Sequence, residues 1–226
     1  MNITALFIGL LLSAFGVAPA VSQTAETQSP AGKIGPEAVW GPGMSIMQDI
    51  RQQCATAGQH FGECFVNGMQ KAGASPQAVV FTRLTDNTGY ARDFRQVGPV
   101  DVAYVNFPYR ANESQGAYLV NGVPPLIDVD DQSLLATGAL AKNAAYRKLE
   151  KNYTDITLWP GNRNGTGYPI VKPAPNDGRR FLFNYLLRDG CHACEVIGSA
   201  TFAFDFDHTG KFLGTRLVRV KPRAKG

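Results

Sequence analysis

The chain has 226 residues, with 22 Lys and Arg against 18 Asp and Glu, a net charge of +4. With 44% hydrophobic and 18% charged residues it is too apolar for a disordered chain, and 24 Gly with 14 Pro exclude a coiled coil and mark a loop-rich globular protein. That length predicts one domain of ordinary size, whose core does not depend on its four Cys.

Residues 1–25 carry no charged side chain, and the apolar stretch from Ile3 to Val17 ends in Ala18-Pro19-Ala20. This reads as a secretory signal peptide, residues 1–20, with cleavage expected after Ala20. Residues 21–39, polar and interrupted by Pro30, Gly32, Gly35 and Pro36, read as a flexible leader. The remainder, 40–226, reads as a single α+β domain. No later stretch is apolar and long enough to span a bilayer, so no transmembrane segment is expected after signal cleavage. The expected location is periplasmic or secreted, where paired thiols end as disulfides.

Ser45 can cap a helix carrying Ile46, Ile50 and Cys54 and ended by Gly58. A second helix holds Phe61, Cys64, Phe65 and Met69 and stops at Gly73; Ser75-Pro76 opens a third through Ala78, Val79, Phe81 and Leu84. Cys54 and Cys64 lie on either side of Gly58, so a turn there predicts a bond between them. Asp101 to Phe107 reads as a strand. Tyr118 to Val120 and Val123 to Val129 flank Asn121-Gly122, the dipeptide of a tight type I′ hairpin turn, and Pro124 with Pro125 predict an edge or bulged second arm. Helical stretches follow Asp130-Asp131 and Asn143. Ile156 to Trp159 is a short strand, followed by a Gly/Asn/Pro-rich loop from Pro160 to Gly178. In Arg180–Arg188 and Ala200–Asp207 apolar residues recur with period two, and Phe212–Val220 follows a short His208-Thr209-Gly210 connection. The predicted architecture is α+β: an antiparallel sheet of about five or six strands ending in a three-strand meander. The helices lie mainly in the N-terminal half and pack on one face.

Phe204-Asp205-Phe206-Asp207-His208-Thr209 resembles the first motif of the haloacid dehalogenase-type phosphatases, D-x-D-x-T after an apolar strand. The resemblance implies Asp205 as nucleophile and Asp207 as acid/base. That family opens its domain with this motif, whereas here the chain ends 17 residues after Thr209, which leaves no room for the fold. The same residues imitate a calcium loop, but Arg216 stands where the bidentate Glu belongs. Cys191-His192-Ala193-Cys194 is similar to the redox pairs of thioredoxin-like proteins. The residues after it alternate like a strand, so the helix N-terminus that would lower a thiol pKa is missing, and a structural Cys191–Cys194 disulfide is expected.

The loop from Pro108 to Gly116 gathers Tyr109, Arg110, Asn112, Glu113 and Gln115, polar groups able to bond in several directions between two strands. Trp159 and Arg163 offer an aromatic and cationic surface of similar kind. These seven residues are the candidate ligand-binding set. The usual hydrolase and nucleotide signatures are absent, so no catalytic residue, metal ligand or cofactor is assigned. From His208 onward there are six Lys or Arg and no acid, a basic edge able to meet anionic envelope polymers or lipid headgroups, or simply to protect an edge strand. Nucleic acid is not an expected partner of an exported protein without a binding module. The sequence points to a non-enzymatic binding protein of the bacterial cell envelope, its partner a small molecule, peptide or envelope component. A periplasmic thiol-disulfide oxidoreductase using Cys191 and Cys194 is the alternative.

Overall fold

The computed structural model describes residues 32–110, 114–161 and 169–223. The signal peptide and most of the expected leader lie outside them. The leader's last residues do not: Ile34 and Ala38 are buried, Pro36–Ala38 form a short 3-10 turn, and Val39 bridges Ala91. The ordered domain therefore begins before Trp40, because Ile34 and Ala38 supply apolar surface that the helical layer needs.

Three helices come first: α1 (Met44–Cys54), α2 (Phe61–Lys71) and α3 (Pro76–Leu84). Gly43, not Ser45, occupies the N-cap of α1, and no side chain caps it. Ser75 does cap α3, its hydroxyl accepting from Ala78 N at 3.0 Å, with Pro76 in the first turn, where a missing N–H costs nothing. Gly58 turns the chain with φ +53°, and the disulfide Cys54–Cys64 closes the α1–α2 corner with its Cα atoms 5.7 Å apart. Ile50, Cys54, Phe65 and Met69 share a buried cluster with Trp40 and Tyr90.

Strands β1 (Tyr90–Arg95), β2 (Asp101–Asn106), β3 (Gln115–Val120) and β4 (Leu126–Asp128) form one antiparallel sheet in that order. Strands β5 (Ile156–Pro160), β6 (Ile170–Pro173), β7 (Arg179–Asp189), β8 (Val196–Phe206) and β9 (Phe212–Pro222) form a second; β7 pairs with β5, β6 and β8, and β9 is an edge. Two short helices, α4 (Thr137–Lys142) and α5 (Ala144–Glu150), lie between the sheets in the chain, α5 capped by Asn143.

The fold is α+β, with the strands divided between two sheets instead of one. The reason lies in β2, whose residues Asp101 to Val105 are all buried. Ala103 and Val105 face the cluster with Phe81 and Ile34, while Val102 and Tyr104 face the cluster with Phe181, Phe183 and Phe202. A strand apolar on both faces needs a cover on each side. Helices α1–α3 provide one cover and the second sheet the other, so the four-stranded sheet is a middle layer.

The Asn121-Gly122 turn also departs from expectation. The β3–β4 link spans residues 121–125, closed by Asn121 N donating to Pro125 O at 3.0 Å, and only Asn121 of the pair has positive φ. Pro124 and Pro125 cannot donate ladder bonds, so the second arm shortens to β4 at the sheet edge. Val123 instead exchanges bonds with the β8–β9 turn, its N–H to Gly210 O and its carbonyl from Phe212 N–H. Strand β6, within the expected Pro160–Gly178 loop, is a four-residue edge paired with Arg179–Leu182 and ended by Pro173.

Candidate functional site

The β2–β3 connection carries four of the seven candidate residues, and a fifth, Gln115, opens β3. Phe107 N–H donates to Ser114 O at 2.7 Å and Arg110 N–H to Phe107 O at 3.2 Å, which closes the loop base. The buried Phe107 ring sits so close to the neighbouring backbone that a Cβ at Gly89 or Gly116 would lie 2.7 or 2.9 Å from it. Only glycine fits at these two positions without displacing the ring. Tyr109 docks onto α2, edge-on to Phe61 at 4.1 Å and to Phe65 at 5.5 Å, with the Arg51 guanidinium 5.8 Å from its ring. Burial raises the Tyr109 pKa, and the Arg51 charge opposes that rise. Arg110 lies over the Phe107 ring at 3.6 Å. Asn112, Glu113 and Arg163 lie outside the described residues.

Gln115 is directly opposite Asn106 across β2 and β3, so the two carboxamides share one face at the end of the sheet. Asn106 Nδ2 donates to Tyr90 Oη at 3.1 Å, which turns its Oδ1 the other way. Asn106 Oδ1 and Gln115 Oε1 are both buried and accept no hydrogen bond from the described residues. Leaving a buried acceptor unsatisfied costs about 1–3 kcal/mol, so two side by side mark a place that demands a donor. Beside them is a cleft of about 210 Å³ lined by Met47, Arg51, Tyr90, Pro108, Ser114 and the two carboxamides. Arg51 anchors one guanidinium nitrogen on the Pro108 carbonyl and brings a cation to the cleft from α1.

Sequence reasoning named Gln115 but missed Asn106 and Arg51. Asn106 had a readable signal: it follows Val102 and Tyr104 at a core-facing parity, where a polar side chain needs a reason.

Trp159 is on β5 of the other sheet and does not line this cleft. Its Nε1 donates to Thr157 Oγ1 at 2.8 Å, Thr157 donates to Gly190 O, and the His192 ring is edge-on to the indole at 5.0 Å. These contacts weld β5 to the β7–β8 turn that the Cys191–Cys194 disulfide closes. Arg188 donates to Cys194 O at 2.6 Å, and strands flank the pair on both sides. No helix starts at Cys191, so the usual means of stabilising a thiolate is missing there.

Both Asp205 oxygens accept from guanidinium groups, Arg180 at 2.6 and 3.0 Å and Arg216 at 3.0 Å. Asp207 accepts from Thr209 Oγ1, Lys211 N and Thr209 N, and these bonds hold its carboxyl below the usual range. One carboxylate thus locks neighbouring strands together and the other shapes a hairpin turn. Between the sheets a second space, about 20 Å³, is lined by Arg92, Tyr104, Gln115, Asp130, Asn184 and Tyr185 among others; it has room for about one water.

Near this space burial raises the Asp128 pKa above the usual carboxylate range, against lowering by its bond from Asp130 N–H. The folded state therefore holds the Asp128 proton at a pH where the unfolded chain has lost it. Stability linked to this group rises as pH falls through the folded pKa and is lower at neutral pH. Asp128→Asn keeps an acceptor for Asp130 N–H and can donate to Tyr118 Oη, now 3.3 Å from Oδ2. The variant is expected to melt higher than the parent at pH 7, with the gain shrinking as both are acidified. A melting difference that stays constant between pH 7 and pH 4 contradicts this.

No family model, curated protein or solved structure matches the chain. Among the described residues no helix is long and apolar enough to cross a membrane, and the two disulfides are compatible with an exported protein.

Proposed function

We propose that this is a non-enzymatic ligand-binding protein of the bacterial cell envelope, exported to the periplasm, and that the cleft between α1 and the β2–β3 end holds its ligand. The observation that carries the reading is the Asn106–Gln115 pair, two buried acceptors without donors among the described residues, beside the Arg51 cation. A ligand that completes this set brings N–H or O–H donors to the carboxamides and a carboxylate to Arg51. A free amino acid or a short peptide has both. At about 210 Å³ the cleft is smaller than the usual range of about 300–1,000 Å³ for drug-sized ligands, which favours the smallest members of that class.

Titrating the protein with alanine and with dialanine, followed by NMR of the side-chain amides, tests the reading. Saturable shifts at Asn106 and Gln115 are expected, weakened about tenfold or more in Arg51→Gln, since a charge-assisted bond contributes about 1.5–3 kcal/mol. Absence of shifts with either probe in large excess, or shifts indifferent to Arg51→Gln, argues against this ligand class.

A further inference from the structure

The five-stranded sheet turns one face to the core and one away from it. Phe181, Phe183, Tyr185 and Leu187 of β7 and Ala200, Phe202, Phe204 and Phe206 of β8 are buried in the inter-sheet cluster. Strand alternation puts Arg180 and Leu182 of β7, and Ala203 and Asp205 of β8, on the opposite side. Among the described residues no apolar cluster forms there.

That outer side is strongly basic. Arg216, Arg219 and Lys221 of β9 stand opposite Ala203, Thr201 and Ser199, and Lys172 of β6 stands opposite Arg180. Among these strand residues the only acid facing the five bases is Asp205, already tied to Arg180 and Arg216. The bases extend from β6 to β9, about 14 Å at the usual strand spacing, so they form an array and not a line.

Exposed aliphatic side chains are interleaved with the charges. Ile170 on β6 is 62% exposed, and Leu213 and Val218 on β9 are 63% and 48% exposed. Leu213 and Val218 fall where the β8–β9 register slips, at bulges that take a residue out of the regular alternation. Gatekeeping by Lys and Arg would account for charge on an edge strand, but not for Leu and Val left exposed on the same edge.

We propose that this face and the β9 edge dock the protein on an anionic lipid surface. Spread basic groups match the plane of headgroups, and the aliphatic side chains enter the boundary beneath them. A soluble polyanion would make no use of Leu213, Val218 and Ile170, and an extended acidic peptide would follow one row of charge instead of an array.

Sedimentation of the mature protein with vesicles tests the proposal. Binding is expected to phosphatidylglycerol–phosphatidylcholine vesicles and not to pure phosphatidylcholine, and should weaken as salt is raised. Each basic side chain near the surface contributes about fivefold in affinity, so Arg216→Gln/Arg219→Gln/Lys221→Gln should bind about 100-fold more weakly. Leu213→Ser/Val218→Ser leaves the charge unchanged and should also weaken binding; all five positions are exposed, and near-UV circular dichroism checks that the variants remain folded. Failure to bind the anionic vesicles, or undiminished binding by the triple variant, overturns the proposal. So does equal binding to soluble polyglutamate that Leu213→Ser/Val218→Ser leaves unchanged, because that assigns the face to polyanions in solution.

Discussion

Phe204→Ala is expected to cost about 3–5 kcal/mol. Phe204 is fully buried, edge-on to Phe183 at 5.4 Å and stacked with Phe212 at 6.1 Å. It stands on β8 between paired strands β7 and β9, where ladder bonds hold the backbone and limit collapse into the space left by the ring. Since a domain is stable by about 5–15 kcal/mol in all, this loss takes a large part of the total. Phe212→Ala, at the partly buried start of edge strand β9, should cost less. Urea denaturation of the two variants checks the order. A Phe204→Ala loss below about 1 kcal/mol would mean that the sheets can close over the gap.

Asp101→Ala is the second large effect, expected at about 3–5 kcal/mol because it removes a buried carboxylate and strands three partly buried donors at once. Asp101 is 1% exposed; its Oδ1 accepts from Val97 N at 2.7 Å and Gly98 N at 3.1 Å, and its Oδ2 from Asn121 Nδ2 at 2.8 Å. Asn121 in turn binds both backbone groups of Ile34, so the N-terminal segment, the β1–β2 turn and the β3–β4 loop meet on one carboxylate. Lys33 is 3.6 Å from Asp101 but 61% exposed, and such a pair contributes only about 0–1 kcal/mol. The hydrogen-bonded donors therefore dominate, and Lys33→Ala should change little. Asn121→Ala combined with Asp101→Ala should cost less than the sum of the single losses by about 1 kcal/mol or more, because the second change removes a bond already broken. Strict additivity in a double-mutant cycle would show that the two side chains act separately.

Much of the meander was legible in the sequence because β7 and β8 each bury one face, and one buried face leaves a period of two. The helical hairpin was equally open to reading, through Gly58, Gly73 and the Ser75-Pro76 pair. β1 escaped because Arg92 and Asp93 interrupt its apolar residues and the register shifts between Ala91 and Asp93. β6 escaped because four residues ending in Pro resemble loop. The middle layer was hidden for a different reason: Val102 to Val105 declare a strand, but not what covers each face. Of the candidate cleft, Gln115 could be named from its loop. Arg51 could not, since it reaches the site from a helix 57 residues before its anchor, Pro108.

Both disulfides join cysteines that are near neighbours in sequence, 10 residues apart in one case and 3 in the other. Any mispaired bond would link one of the first two cysteines to one of the last two, closing a loop of roughly 130 residues. Loop closure becomes less probable as about the three-halves power of length, so such a contact is about 40-fold rarer in the unfolded chain than Cys54 meeting Cys64. During oxidative maturation the native pairs thus win by proximity alone, and the chain should reach its correct cross-links with little recourse to a disulfide isomerase.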